Sequence, residues 1–316
     1  FIFGYNAISS VQRGLGDSKR PLMFVAIACF VNIVLDLLFV GGLRLGAAGA
    51  AWATIISQAL SMFLSAWYLT THRFIFDFKF SSFRIHADKV RLLFKLGLPS
   101  SVQSVVTSFS FLLMTALVNG FGVSASAAVG IAGKFNSFGI LPAIAMSSAI
   151  SSMVAQNIGA GYHERARKIL WNGVGIAMAF GLLVFLITQL FTRQIFFLFG
   201  VEAATADMGV PYMRAFSYDY LAVSVVFCVN GLINGSGYTI YSLMTSMISA
   251  LILRVPVAWF MSKTALGLAG VGMAAPVASC GALVLAMAFY FSGKWKQSRA
   301  GIHRIPVSED QEALAE

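Results

Sequence analysis

Long apolar stretches, separated by short polar segments, run through almost the whole chain. A helix that crosses the hydrocarbon core of a bilayer needs about 20 consecutive apolar residues. The pattern predicts eight membrane-spanning helices, near residues 21–43, 46–69, 97–119, 124–156, 168–191, 212–233, 240–262 and 266–292. A further apolar segment, residues 1–11, is too short to cross and is interpreted as the end of another helix.

Composition agrees with this pattern, because 58% of the residues are hydrophobic and only 11% are charged, with a mean hydropathy of +0.81. Ordinary soluble domains carry roughly 25% charged residues. We therefore expect an all-α polytopic membrane protein that contacts the lipid bilayer directly.

The net charge of +10 raises the question of nucleic-acid binding, but the basic residues cluster in alternate loops. They concentrate in residues 13–20, 72–95, 163–168 and 294–304, and the loops between these hold few. Such alternation is the positive-inside pattern of membrane proteins. It predicts a multi-pass protein of the plasma (inner) membrane with cytoplasmic basic loops and a cytoplasmic C-terminus, and no nucleic-acid partner.

The chain also contains an internal repeat at an offset of 221 residues. Residues 13–24 align with 234–245, and residues 46–54 align with 267–275, without gaps. Four glycines, at positions 14, 16, 46 and 49, meet glycines in the second copy. Because the offset spans six helices, both copies cross the membrane in the same direction, as in parallel-repeat transporters.

The repeat predicts two pseudo-symmetric six-helix lobes, the first incomplete, with about 130 residues ahead of Phe1 in the intact protein. The predicted regions are the end of helix 4 to helix 6 of the N-lobe, a cytoplasmic interfacial linker, helices 7–12 of the C-lobe, and a cytoplasmic tail. They cover residues 1–70, 71–91, 92–294 and 295–316 respectively.

Several motifs resemble those of the multidrug and toxic compound extrusion (MATE) antiporters: NAISSVQRGLGDSKRP, NIVLD, GAAGAAWAT, GLPSSVQS and MVAQNIGAG. The resemblance runs in the family's order from Phe1 to about Trp295. It implies twelve helices in two lobes around a central cavity, and export of organic cations in exchange for H⁺ or Na⁺. It further implies a monomer with no cofactor besides the coupling ion.

One carboxylate interrupts the first long apolar run, since Asp36 is the only charged residue between Pro21 and Leu43. An acid at a helix centre costs roughly 2.5–3.5 kcal/mol on insertion scales, so such residues usually face a cavity or a partner. Asn32 lies one turn before Asp36 on the same helix face. Thr54 is predicted at the same depth on the next helix.

These three side chains allow different roles. Their hard oxygen atoms suit Na⁺. Alternatively, Asp36 carries a proton, or Asn32 and Asp36 form a hydrogen-bonded packing pair. The resemblance implies that Asn32, Asp36 and Thr54, with Asn6 on the preceding helix, belong to an N-lobe cation-coupling site. The repeat aligns Asp36 with Val257 and Asn32 with Leu253, so coupling is expected in the N-lobe only.

Three more charged residues fall within predicted spans of the C-lobe, namely Lys134, Asp219 and Arg254. Their similar predicted depth suggests that Asp219 pairs with Lys134 or Arg254. The alternative is that Asp219 faces the cavity and contacts cationic substrate. Arg254 could also extend its side chain to the membrane interface.

The sequence favours cation-coupled multidrug efflux by alternating access between two lobes. The alternative is a lipid-linked oligosaccharide flippase of the same architecture, which would need several basic residues in its cavity to hold a pyrophosphate. The predicted spans offer only two such residues, Lys134 and Arg254. An enzyme is not expected, because residues 163–167 lack the second histidine of a zinc-binding helix and no GxSxG elbow is found.

Overall fold

The computed structural model describes residues 1–71 and 86–297. Within those ranges the chain forms helices joined by turns, without a β-strand, so the all-α prediction is confirmed. The chain divides into two compact units, Phe1–His86 and Ala87–Glu316. Most of the predicted linker and tail, residues 72–85 and 298–316, lies outside the described residues.

The first unit contains three helices: α1 (Ile2–Gly14), α2 (Lys19–Asp36) and α3 (Gly46–Thr71). A π-helical segment, Leu37–Gly42, continues directly from the end of α2. The Tyr5 hydroxyl on α1 donates a hydrogen bond of 2.7 Å to the carbonyl of Pro21 on α2. The guanidinium of Arg20 lies 4.6 Å from the ring centre of Tyr68, which connects α2 with α3.

The second unit contains nine α-helices and one π-helical segment, Ile248–Arg254, among its described residues. The helices are α4 (Ala87–Asn119), α5 (Val123–Gly139), α6 (Leu141–Gly159), α7 (His163–Leu198), α8 (Ala203–Ser217), α9 (Asp219–Gly235), α10 (Thr239–Met247), α11 (Val255–Ser262) and α12 (Gly267–Phe291). The π-helical segment joins α10 to α11, so these three elements form one continuous rod.

Helices α6 and α9 approach each other closely because two glycines of α9 face the backbone of α6. A Cβ atom built on Gly231 would lie 2.5 Å from the carbonyl oxygen of Ser147. One built on Gly235 would lie 2.5 Å from that of Ser151. Small residues at this four-residue spacing let helix backbones pack tightly in a membrane, where burial of apolar surface between helices gains little.

Seven helical stretches are long and apolar enough to span a membrane, and the bent pair α8–α9 makes an eighth. This agrees with the eight spans predicted from hydropathy. The outer faces carry many exposed large apolar side chains, such as Phe3, Leu112, Leu190 and Phe291, which suits contact with hydrocarbon tails.

Three predicted spans differ in detail from the helices. The span near 212–233 is two helices, Ala203–Ser217 and Asp219–Gly235, which bend by 40°. The span near 124–156 is α5 followed by α6, which meet at Ile140. The span near 168–191 extends to 163–198, because the helix continues past a kink at Phe191. Hydropathy alone registers neither bends nor polar helix ends.

The internal repeat is visible in the backbone as well as in the sequence. Gly16 and its repeat partner Gly237 have φ values of +92° and +84°. Gly46 and Gly267 have φ values of +56° and +49°. Side-chain-bearing residues seldom adopt such values, so matched glycines begin matched helices in the two copies.

Candidate functional site

The predicted coupling residues Asn32 and Asp36 lie one turn apart on α2. Asp36 is the last residue of α2, and the π-helical segment starts at Leu37. Both side chains are half-buried. Single-turn π-helical segments within α-helices occur often at functional sites, so the backbone marks this position independently of the side-chain chemistry.

Two polar atoms of this pair lack hydrogen-bond partners among the described residues. They are Oδ1 of Asp36 and Nδ2 of Asn32, and both atoms are enclosed by protein. The amide of Asn32 therefore does not donate to Asp36, and the hydrogen-bonded packing pair left open by the sequence is not formed. Bonding capacity remains available on both side chains.

Thr54 and Asn6 are more exposed than Asn32 and Asp36. The Thr54 hydroxyl is exposed and donates a 2.9 Å hydrogen bond to the carbonyl of Ala50 on its own helix. Asn6 lies exposed on α1. No hydrogen bond joins either residue to Asp36 within the described parts of the chain. Asn32 is set apart because it lies one turn from Asp36 on the same helix and is also half-buried.

In the second unit, Asp219 is the first residue of α9 and lies directly after the bend at Tyr218. Its side chain is only 4% exposed. Its Oδ1 atom is enclosed and has no hydrogen-bond partner among the described residues. The position at a helix N-terminus favours a negative charge there.

Of the two cations predicted to pair with Asp219, Arg254 is the one whose charge acts on it. No ion pair within 4.0 Å joins these two residues in the described structure, so the interaction operates at longer range. Lys134 is exposed on α5 and forms no ion pair with any described residue. The predicted Asp219–Lys134 alternative is therefore not formed, because one side chain is buried and the other faces outward.

Arg254 ends the π-helical segment and lines a cavity of about 230 Å³ within the second unit. Its guanidinium lies 5.2 Å from the ring centre of Phe111, and its Nε atom is enclosed without a hydrogen-bond partner in the described chain. The other polar or aromatic residues of the wall include Asn119, Asn136, Tyr212 and Phe216.

Sequence reasoning missed this cavity and its two asparagines. The available signal was the pair Gly130 and Gly133 on α5, since both line the cavity. A Cβ atom on either glycine would meet no other atom within 4 Å. Two small residues on one face of an apolar helix therefore marked open space rather than close packing.

No group of three or more His, Cys, Asp or Glu side chains that could hold a metal ion occurs in the described residues. The Asn32–Asp36 cluster has a single carboxylate. Its chemistry therefore suits a proton or a monovalent cation better than a divalent metal, which generally requires more charged ligands.

Comparison with known proteins places these helices in a family. A model of the MatE family matches residues 99–260. The chain is 33% identical to the probable multidrug resistance protein YpnP of Bacillus subtilis, over 94% of this chain and 66% of that protein. It is 28% identical to the probable multidrug resistance protein YoeA of the same organism, with the same two coverages.

Solved structures show the same fold. One reported as the outward-facing conformation of a multidrug resistance MATE family transporter of the MOP superfamily has a TM-score of 0.83 at 24% sequence identity. The match covers 94% of this chain and 66% of the chain in that structure. The chain thus spans about two thirds of the length of the proteins it matches. Because the family model covers just over half of the 316 residues, the chain belongs to the MatE family of membrane transporters.

Proposed function

We propose that the protein exports organic cations in exchange for H⁺ or Na⁺, and that the ion binds at Asn32 and Asp36. The observation that carries this proposal is the enclosed Oδ1 of Asp36, which has no hydrogen-bond partner in the described chain. An unsatisfied polar atom in a protein interior costs about 1–3 kcal/mol, and more if it is charged. A proton or a cation on this carboxylate removes that cost.

Both coupling ions fit the cluster chemically. A proton neutralises the carboxylate and gives it a donor. Sodium would take oxygen atoms from the Asp36 carboxylate and the Asn32 amide. Thr54 donates its hydroxyl proton to Ala50, and its oxygen lone pairs remain available to an ion.

Two of the relatives compared are named probable multidrug resistance proteins, which supports a similar role for this chain. We infer a transporter and not an enzyme, acting as a monomer in the plasma membrane with its C-terminus in the cytoplasm. Substrates would be small organic cations. Ion binding and substrate binding would favour conformations open to opposite sides of the membrane, which is alternating access.

The available driving forces are sufficient for this exchange. One elementary charge that moves through 100 mV releases about 2.3 kcal/mol. One pH unit adds about 1.4 kcal/mol per proton. A one-for-one exchange of H⁺ with a monovalent cation moves no net charge, so one pH unit alone allows a substrate gradient of about tenfold. The membrane potential adds to this when more than one ion enters for each substrate.

The test uses the intact protein, including any residues that precede Phe1, reconstituted in proteoliposomes. Efflux of a fluorescent organic cation is followed under an imposed pH gradient and, separately, under a Na⁺ gradient. Wild type is compared with Asp36→Asn and with Asp17→Asn. Asp17 is a suitable control because it lies in the α1–α2 turn, paired with Arg20 at 2.9 Å.

We expect efflux under one of the two gradients, lost in Asp36→Asn and retained in Asp17→Asn. The effective gradient identifies the ion. Efflux unchanged in Asp36→Asn would remove that residue from the coupling mechanism. Absence of gradient-driven efflux in the wild type would overturn antiport and bring forward the flippase alternative, which is then tested with a lipid-linked saccharide.

A further inference from the structure

The cavity of the second unit has a charge that differs from what an organic-cation site requires. Its lining contains one cation, Arg254, and no acidic residue. The remaining polar groups are neutral: the amides of Asn119 and Asn136 and the hydroxyls of Thr115, Ser126 and Tyr212. A cavity with this lining attracts negative charge and repels positive charge.

Two of these neutral groups, the hydroxyls of Ser126 and Thr115, already donate hydrogen bonds within the cavity wall. The Ser126 hydroxyl donates to Oδ1 of Asn119 at 2.9 Å, and the Thr115 hydroxyl donates to the carbonyl of Phe111 at 2.9 Å. Neither interaction engages Arg254. Its guanidinium has five N–H donors, and the enclosed Nε–H has no acceptor among the described residues.

Asp219 does not supply the missing acceptor. It is not part of the cavity wall, and it makes no ion pair within 4.0 Å of Arg254 in the described structure. Arg254 is half-buried with an enclosed Nε atom, and a directly bonded anion would offset the partial desolvation of its charge. The arrangement therefore leaves a position for an anion on the cavity side of Arg254.

We propose that this cavity binds an apolar aromatic molecule that carries a carboxylate, with the guanidinium of Arg254 as the anion-binding group. An arginine presents two parallel N–H groups to a carboxylate, which fixes the orientation of the ligand. The ring of Phe111 lies 5.2 Å from the guanidinium carbon, a cation–π contact that favours this position of the side chain. The rings of the ligand would pack against the apolar wall formed by Met114, Val118, Phe216 and Val271.

The size of the cavity limits the ligand. Its volume of about 230 Å³ is below the roughly 300–1,000 Å³ of sites for drug-sized molecules. One or two fused rings with a single carboxylate fit this space. The inference does not depend on the proposed coupling at Asp36, because binding is measured without transport or an ion gradient.

The test measures binding to the intact protein, including any residues that precede Phe1, in detergent micelles by isothermal titration calorimetry. Three probes share one ring system and differ in charge: 2-naphthoate, 2-naphthamide and 2-naphthylmethylammonium. We expect naphthoate to bind at least tenfold more tightly than either of the others. Arg254→Gln should reduce naphthoate binding to the level of the amide, and Arg254→Lys should lie between, because lysine keeps the charge without the paired N–H groups.

Two further variants separate the cavity from general effects. Gly130→Leu places a side chain into the open space and should abolish binding of naphthoate, because a Cβ atom there meets nothing within 4 Å. Gly133→Leu provides the same test at a second position. Lys263→Gln is the charge control, since Lys263 is exposed at the end of α11 and does not line the cavity.

Tighter binding of the ammonium probe than of naphthoate would overturn the proposal, as would naphthoate binding that is unaffected by Arg254→Gln. Equal binding to wild type, Gly130→Leu and Gly133→Leu would show that the probe partitions into the micelle and would also overturn it. If Arg254→Gln does not fold, the Arg254→Lys and glycine variants decide the question with the same criteria.

Discussion

The two copies of the internal repeat use one scaffold to hold charges of opposite sign. In the first copy, α2 carries Asp36, and the second copy has Val257 at the equivalent position. In the second copy, the rod formed by α10, the π-helical segment and α11 carries Arg254, and the first copy has Ile33 at the equivalent position. The helix starts nevertheless match, down to the positive φ angles of Gly16 and Gly237.

Each copy places its charged residue at a different point of the equivalent helix. Both charged residues lie at a junction between α-helical and π-helical backbone, Asp36 just before Leu37–Gly42 and Arg254 at the end of Ile248–Arg254. A π-helical turn changes which face a side chain occupies relative to a regular helix. The two copies thus share a frame, while a shifted π-helical segment and two differences, Asp36 against Val257 and Ile33 against Arg254, set the sign of the charge.

The largest expected effect comes from exchanging the two equivalent residues. Asp36→Val should abolish gradient-driven efflux in proteoliposomes while the protein still folds. Val257→Asp should not supply coupling, because Leu253 provides no amide beside it. It should instead lower the free energy of unfolding by about 2.5–3.5 kcal/mol, since Val257 packs against the buried core. Efflux restored in the Asp36→Val/Val257→Asp double variant would contradict the assignment of coupling to the first copy.

A second prediction concerns the longer-range interaction between Asp219 and Arg254, which the first copy lacks. Asp219→Asn should lower the free energy of unfolding by about 1 kcal/mol, because the negative charge that acts on Arg254 is removed without breaking a direct ion pair. Lys134→Gln is the control and should change stability by less than about 0.5 kcal/mol, as Lys134 is exposed without an ion pair among the described residues. Thermal unfolding in detergent, followed by tryptophan fluorescence, measures both.

A double variant tests whether the stability effects of Asp219 and Arg254 are coupled. Asp219→Asn with Arg254→Gln should be less destabilised than the sum of the two single changes, because the uncompensated charge is absent. An exchange of charge between Lys134 and Asp219 should recover no stability. Recovery in that exchange would contradict the arrangement described for Asp219.

A third prediction compares repeat-related glycines in different packing. Gly235→Ala should lower the free energy of unfolding by about 2 kcal/mol, because the new Cβ atom would lie 2.5 Å from the Ser151 carbonyl oxygen. Gly14→Ala should be neutral or stabilising by about 0.5 kcal/mol, because a Cβ atom there meets nothing within 4 Å. Melting temperatures of the two variants check this, and equal shifts would contradict it.

The smallest effect is expected where the copies agree. Gly16→Ala and Gly237→Ala should each cost about 1 kcal/mol, because both glycines have φ near +90°. Similar decreases in melting temperature would support equivalent turns in the two copies. A decrease in melting temperature in only one variant would show that the two turns contribute differently to stability despite similar backbone angles.

Much of the fold could be predicted because a single physical variable, hydropathy, determines which segments cross a bilayer. The predicted span 46–69 corresponds to α3, Gly46–Thr71, and the span 240–262 to the rod from Thr239 to Ser262. The bend at Tyr218 was not predicted, since no proline or glycine stands at that position. It depends on how α8 and α9 pack against other helices, which sequence periodicity does not record.

Some residues of the candidate site could likewise be predicted from the sequence, and others could not. Asp36 and Asn32 were found because a carboxylate in an apolar run is conspicuous, and their spacing places them on one face. The environment of Thr54 was not predictable, because its hydroxyl had a choice of acceptors and took Ala50 on its own helix. The cavity beside Arg254 depends on side chains from α4, α5, α8, α12 and the π-helical segment, which meet only in the folded chain.

The bend at Tyr218 also affects how the protein is made. Neither α8 nor α9 alone is long and apolar enough to span a membrane, so the two must enter as a bent pair that carries Asp219. Arg254 follows later in the chain, and synthesis proceeds at roughly 5–20 residues per second. We therefore expect the nascent α8–α9 pair to stay beside the translocon for several seconds, until Arg254 has been synthesised. Asp219 can then enter the bilayer together with a residue of opposite charge.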